Sequence, residues 1–142
     1  MKLFSTMNIS ASGLSAERLR LDVVANNIAN ATTTRSADGG PYKKRVVVFK
    51  EVLARELKMG RKGYSPGGVE VAAVLRDQSP PRMVYNPDHP DANEQGFVAM
   101  PNVDLAVEIT DFITATRAYD ANVTVLNGTK NMILKTLEIG RG

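Results

Sequence analysis

The chain has no cysteine, no tryptophan, a single histidine and only 6% aromatic residues in a length of 142. The missing cysteines exclude disulfides, thiolate metal sites and cysteine nucleophiles together. With so few rings to bury, the core must be aliphatic and thin. No segment approaches the ~20 apolar residues that a membrane span needs, and the longest β-rich run is Val46–Phe49. The opening MKLFSTMNIS lacks the apolar stretch of about 7–15 residues of a secretory signal. The expectation is a soluble chain without direct membrane insertion, which leaves the cytoplasm, if at all, by a route that needs no cleaved signal. No Gly-rich phosphate loop, Ser/His/Asp set or metal-ligand cluster is evident, so no cofactor, metal or enzymatic activity is expected. The net charge of +3 is too small to indicate nucleic acid as a partner.

What is present separates into three regions. Hydrophobic residues at 43% and charged residues at 23% suit one folded domain's worth of chain. Residues 1–32 read as an N-terminal helical segment in which Leu14, Leu21 and Ile28 recur seven apart, with Ala11, Val24 and Ala25 on the same side. That spacing is helical. Gly13 weakens the first turns, so the helix start is open between Phe4 and Ser12. TTTRSADGGP then opposes continuation, through β-branched threonines, a Gly pair and Pro41.

Residues 33–101 read as a small β-rich middle region, and all seven prolines lie between Thr32 and Pro101. YKKRVVVF is a strand start, and VEVAAVL alternates as a half-buried strand. RMVY and GFVAM are shorter strand candidates separated by a loop, NPDHPDANEQG. FKEVLARELKMG is ambiguous: Phe49, Val52, Leu53 and Leu57 fit one helical face, with a strand continuing from Val48 as the alternative.

Residues 102–142 carry the clearest signal, a C-terminal coiled-coil helix. Ile109, Phe112, Thr116, Tyr119, Val123, Leu126, Lys130, Ile133 and Leu137 step by alternating threes and fours, and Leu105 extends the row backwards. Such a repeat specifies a partner helix. About 35 residues at 1.5 Å each span roughly 50 Å, too long for a small β region to cover. The fold class is therefore α+β, with long N- and C-terminal helices pairing as a coiled coil around a small β-rich middle. Leu14, Leu21 and Ile28 are expected to pack on the Ile109–Leu137 seam. Asn26, Asn27 and Asn30 crowd the end of the first helix, where asparagine is a mediocre helix former. Their amides are expected to fix register between helices, with Asn122 and Asn127 as counterparts. The alternative reading makes them solvated helix-end residues.

ANNIANATTT at 25–34 resembles the N-terminal signature of the bacterial flagellar rod and hook axial proteins. NVDLAVEITDFITATRAYDANV at 102–123 is similar to their C-terminal signature, with Asn102, Val103, Asp104, Glu108, Ala115, Arg117, Tyr119, Ala121 and Asn122 in the expected places. GGPYKKRVVVF, YNPDHPDANEQGFVAMPNVD and the short middle region resemble the proximal rod members. Ile109 and Phe112 depart conservatively from the methionines more usual there. The resemblance covers nearly the whole chain. It implies a structural, non-enzymatic subunit of the basal-body rod, periplasmic and exported by the flagellar type III apparatus without a cleavable signal. It further implies assembly with copies of itself, with homologous rod proteins and with the inner-membrane ring adaptor. The product is an axial drive shaft that transmits torque and forms part of the export channel. The assembly interface would comprise Leu14, Leu21, Asn26, Asn27, Ile28, Asn30, Ile109, Phe112, Tyr119, Asn122, Val123, Leu126, Ile133 and Leu137. A rival from another class is a soluble coiled-coil adaptor or export chaperone.

Three further features have sharp and bland readings. His89-Pro90-Asp91 is the tripeptide that J-domains present to their chaperone partners, but here it lies in a proline-rich loop, and loop shaping is the better reading. The stretch 43–62 holds eight Lys/Arg against Glu51 and Glu56, a surplus of +6 that leaves −3 for the rest. With Phe49 as its one interleaved aromatic, it reads as a solvated face, with contact to a neighbour as the weaker alternative. Asn-x-Ser/Thr triplets at Asn8, Asn30, Asn122 and Asn127 read as chance.

Overall fold

The computed structural model describes residues 2–58 and 61–141. Helix α1 spans Lys2–Ala29 and helix α2 Leu105–Arg141. Between them lie strands β1 (Arg45–Lys58), β2 (Arg61–Arg76), β3 (Arg82–Tyr85) and β4 (Phe97–Met100). The strands form two separate antiparallel pairs, β1 with β2 and β3 with β4. The architecture is α+β, two long helices with a small β middle.

Helix α1 is longer than its sequence pattern suggests, while α2 stays within the 102–142 segment. α1 begins at Lys2, ahead of the Phe4–Ser12 window, and runs straight through Gly13. The reason is tertiary. A Cβ on Gly13 would meet the Asn122 amide at 3.0 Å, so the missing side chain is what lets α2 approach there. α2 starts on a built cap, because Asp104 Oδ1 accepts from the Ala106 N–H at 2.9 Å. Its 37 residues make a rod about 55 Å long. The two helices are antiparallel, since Asn27 near the end of α1 touches Glu108 near the start of α2, while Gly13 lies against Asn122.

The ambiguous stretch from Phe49 to Leu57 is strand, not helix. Register pairs such as Phe49↔Val71 and Glu51↔Val69, with a Lys50–Glu70 ion pair at 2.6 Å, give it a partner that an isolated helical face lacks. Irregularities at Val48/Phe49 and Val52/Leu53 bend the hairpin. Midway along α1 it is tied by the Val69 N–H, which donates to Ser12 Oγ at 3.1 Å. Gly68, with φ of 104°, allows that approach, as a Cβ there would stand 2.2 Å from Ser12 Oγ. RMVY and FVAM are strands as read, and the structure pairs them; the loop between them is held by Asn93, whose Oδ1 accepts from the Gln95 and Phe97 N–H groups.

The core is as thin as the composition requires. Its buried apolar residues are Ala16, Val24, Ala31, Tyr42, Val98, Val103 and Ala115 among the described residues. Tyr42 is the one ring among them.

Candidate functional site: the helix pair and the junction at its connected end

At the end of the helix pair that the β region connects, one amide organises three chain segments. Asn27 is 1% exposed. Its Nδ2 donates to the Arg45 carbonyl and to Glu108 Oε2, each at 2.9 Å. Its Oδ1 accepts from the Arg45 N–H and from the Tyr42 hydroxyl, again at 2.9 Å. All four hydrogen-bonding positions of the amide are thus filled. Glu108, fully buried, receives Lys44 Nζ at 2.6 Å from Oε1, an ion pair whose angle lies outside hydrogen-bond alignment. Burial, with a smaller push from Glu108, raises the Tyr42 pKa above its ordinary value, so the phenol stays a donor. A buried carboxylate paired and hydrogen-bonded in this way locks α1, the start of β1 and the start of α2 together.

Asn26 and Asn30 act locally rather than between helices. Asn30 Nδ2 donates to the Asn26 carbonyl and to Asn26 Oδ1, which also accepts from Tyr42 Oη at 3.2 Å. Thr33 Oγ1 donates to Asn30 Oδ1. Asn122 donates back to Ala118 in its own helix and meets α1 only as packing on Gly13. The pairing of amides across the helices is therefore corrected: of this group Asn27 alone reaches α2, and its counterpart is Glu108. The three asparagines at the helix end exist to close the turn and receive the returning strand.

The row of α2 that closes on α1 also differs from the apolar seam. Glu108, Ala115 and Thr129 are buried, and Asn122 completes the seven-residue spacing. On α1 the buried row is Ser10, Gly13, Ala16, Val24 and Asn27, with Arg20 reaching Asp111 at 3.3 Å. In both helices this facing row stands one residue before the one that the large apolar side chains mark. Small residues bring the helices close, and polar ones pair across.

The large side chains consequently flank the seam. Leu14, Leu21, Ile28, Tyr119, Val123, Leu126 and Ile133 are half-buried. Ile109, Phe112 and Leu137 are 50%, 39% and 60% exposed. Ile113, Val125, Met132, Leu134 and Ile139 are exposed as well, so α2 offers apolar surface along nearly its whole length. No described helix is long and apolar enough to cross a membrane, and no group of metal-ligating residues occurs among the described residues.

Family models match both halves of this helix pair. The description "Flagella basal body rod protein" covers residues 7–35, and "Flagellar basal body rod FlgEFG protein C-terminal" covers 94–139. Full-length similarity accompanies them. The flagellar basal-body rod protein FlgC of Borreliella burgdorferi is 41% identical, with 100% of each chain covered. That of Salmonella typhimurium is 42% identical over 99% of this chain and 100% of its own, and that of Bacillus subtilis 41% with the same coverage. The chain belongs to the flagellar basal-body rod proteins.

As a rod protein it is a structural subunit of the flagellar basal body. The two matched segments contain Asn27 and Glu108, which meet at the polar latch of this chain. Tyr42, Lys44 and Arg45 lie between the matched segments and were not among the residues singled out from sequence. Their signal was weak: one aromatic after Gly-Gly-Pro, and two cations inside a longer basic stretch. The His89 loop has the shaping role expected of it. His89 Nδ1 accepts from the Asp91 N–H, and Asp91 accepts from Thr34 Oγ1 at 2.7 Å and Arg35 Nε at 2.6 Å, which docks the loop beside the end of α1. Those hydrogen bonds, Thr34's first, hold the Asp91 carboxyl below its ordinary pKa.

Proposed function

We propose that this chain is a non-enzymatic building block of the proximal rod, and that the outward side of its helix pair is the surface on which the rod is built. One observation carries the reading: the helices join through small and polar residues and leave a row of large apolar side chains on α2, among them Ile109, Ile113, Met132 and Ile139, exposed. A lone soluble protein gains nothing from that arrangement, because exposed apolar rows mark surfaces awaiting a partner.

The magnitudes favour many neighbours over one. Covering the remaining exposed area of a half-exposed aliphatic side chain yields about 1 kcal/mol. Eight such residues give roughly 8 kcal/mol, which association costs of about 4–15 kcal/mol largely offset. A single contact is then weak, and a cylinder of several contacts per subunit is strong. Such a subunit stays separate in dilute solution and adds cooperatively to a growing end. The neighbours in this reading are copies of the chain, homologous rod proteins and the inner-membrane ring adaptor. The site is the periplasmic part of the basal body, reached through the type III export apparatus without a cleaved signal. The tube transmits torque and encloses part of the export channel. Resemblance to the rod family supports these finer assignments.

Ile113→Asp and Met132→Asp place a charge on exposed positions that contribute little to the fold. The purified variants should match the wild type in helix content and melting temperature, yet be absent from detergent-extracted basal bodies, and the cells should not swim. Recovery of both variants in intact basal bodies would overturn the proposal. So would finding the wild-type chain only in the cytoplasm bound to a client, the result an adaptor or export chaperone gives.

A further inference from the structure

Beside the junction, at the mouth of the β1–β2 hairpin, lies an open pocket of about 480 Å³. Its charged lining residues are Arg35, Lys43, Arg45, Arg76 and Asp38. They sum to +3, as much as the formal net charge of the whole chain. Arg45 and Arg76 are direct register partners across the two strands, where like charges repel. Asp38 answers Arg76 at 2.7 Å, and Asp91 answers Arg35 from outside. Lys43 and Arg45 have no acidic side chain within reach among the described residues.

One neutral lining residue has the same bias. Asn26 Oδ1 is occupied by Asn30 and Tyr42, which leaves the Asn26 amide with donor capacity only. The pocket therefore offers N–H donors and a surplus of positive charge. We propose that it is a socket for carboxylate side chains on an acidic segment of a neighbouring protein. Guanidinium groups bind carboxylates through paired, charge-assisted hydrogen bonds, and the Arg45/Arg76 repulsion is relieved by an anion between them. The occupant is a macromolecule because the arms of the site stand in solvent, Arg35 at 74% and Arg76 at 50% exposed, whereas a small-ligand site encloses most of its guest. It is protein rather than nucleic acid because the pocket's one ring, Tyr42, is buried beneath it and gives bases no stacking platform. The rod reading supplies only the source of the neighbour; binding is a property of the isolated chain.

The test is a titration of the purified full chain with a blocked triglutamate peptide, followed by NMR at the Asn26 side-chain amide and the Arg45 and Arg76 guanidinium groups. Parallel arms use a triglutamine peptide and inorganic phosphate. The socket predicts saturable shifts at those groups with triglutamate, none with triglutamine, and weakening as salt rises. Lys43→Glu combined with Arg45→Glu should reduce affinity at least ten-fold, the exposed Lys43→Glu alone should reduce it measurably, and Lys130→Glu on α2 should leave it unchanged. Absence of saturable shifts, equal binding of triglutamine, or binding of phosphate with a silent peptide would each overturn the proposal. Failure of the α2 variants to disturb basal bodies would sink the rod surface and leave the socket standing.

Discussion

Replacing Asn27 with alanine removes the centre of the junction, and its cost can be worked from the partners it strands. The Arg45 N–H and carbonyl both lose their bonds, and Glu108 loses one of its donors. Tyr42 retains an alternative, since its hydroxyl already lies 3.2 Å from Asn26 Oδ1. Two part-buried backbone groups left without partners cost about 1 kcal/mol each, and a lost bond to a buried carboxylate about 1.5–3 kcal/mol. Alanine returns about 0.5 kcal/mol as the better helix former. The net loss is about 3–4.5 kcal/mol, a large share of the ~5–15 kcal/mol that folded chains hold, and it should lower the melting temperature by roughly 10 °C. Asn26→Ala is the internal control. That side chain is exposed and makes longer contacts, so its loss should cost under about 1 kcal/mol. Urea denaturation followed by circular dichroism gives both values, and hydrogen exchange at the Arg45 amide should accelerate only in the Asn27 variant. Equal costs for the two variants, or less than about 1 kcal/mol for Asn27→Ala, would refute the latch.

Gly68→Ala should destabilise by about 2 kcal/mol or more, because its backbone stands at φ 104° and a Cβ there would collide with Ser12 Oγ; a thermal melt checks this, and unprotected exchange at the Val69 amide should accompany it. The Asp91 contact should persist well into acid. A carboxyl whose folded pKa is depressed contributes fully above its unfolded value and loses that contribution only as pH falls through the depressed one. The Thr34 and Arg35 NMR signals should thus hold steady from pH 7 to about 4 and move below it, where ordinary aspartates have already begun to titrate; movement centred above pH 5 would contradict the geometry.

Much of the fold could be read from the chain because local chemistry agrees with the final structure there. The threonines, the Gly39–Gly40 pair and Pro41 oppose continuation of α1, the alternation in VEVAAVL makes a strand, and the threes and fours from Ile109 onwards make a helix. FKEVLARELK was open because periodicity over ten residues fits two elements, and cross-strand pairing with β2 decided it. The candidate site was only half legible. Asn26, Asn27 and Asn30 look alike in sequence, yet one is buried at the centre of a network and the others close a turn, a distinction set by Tyr42, Lys44 and Arg45 returning from fifteen or more residues away.

The order of apolar, polar and breaking residues by itself determined that two long helices frame a β-rich middle, since helical and strand periods are properties of neighbours along the chain. Which stripe of each helix turns inward belonged to the tertiary structure. Hydrophobic spacing marks what benefits from burial without saying against what, and here close approach at Gly13 and pairing at Asn27 and Glu108 claim the inner stripe. The larger residues one position along are thereby left to the outside.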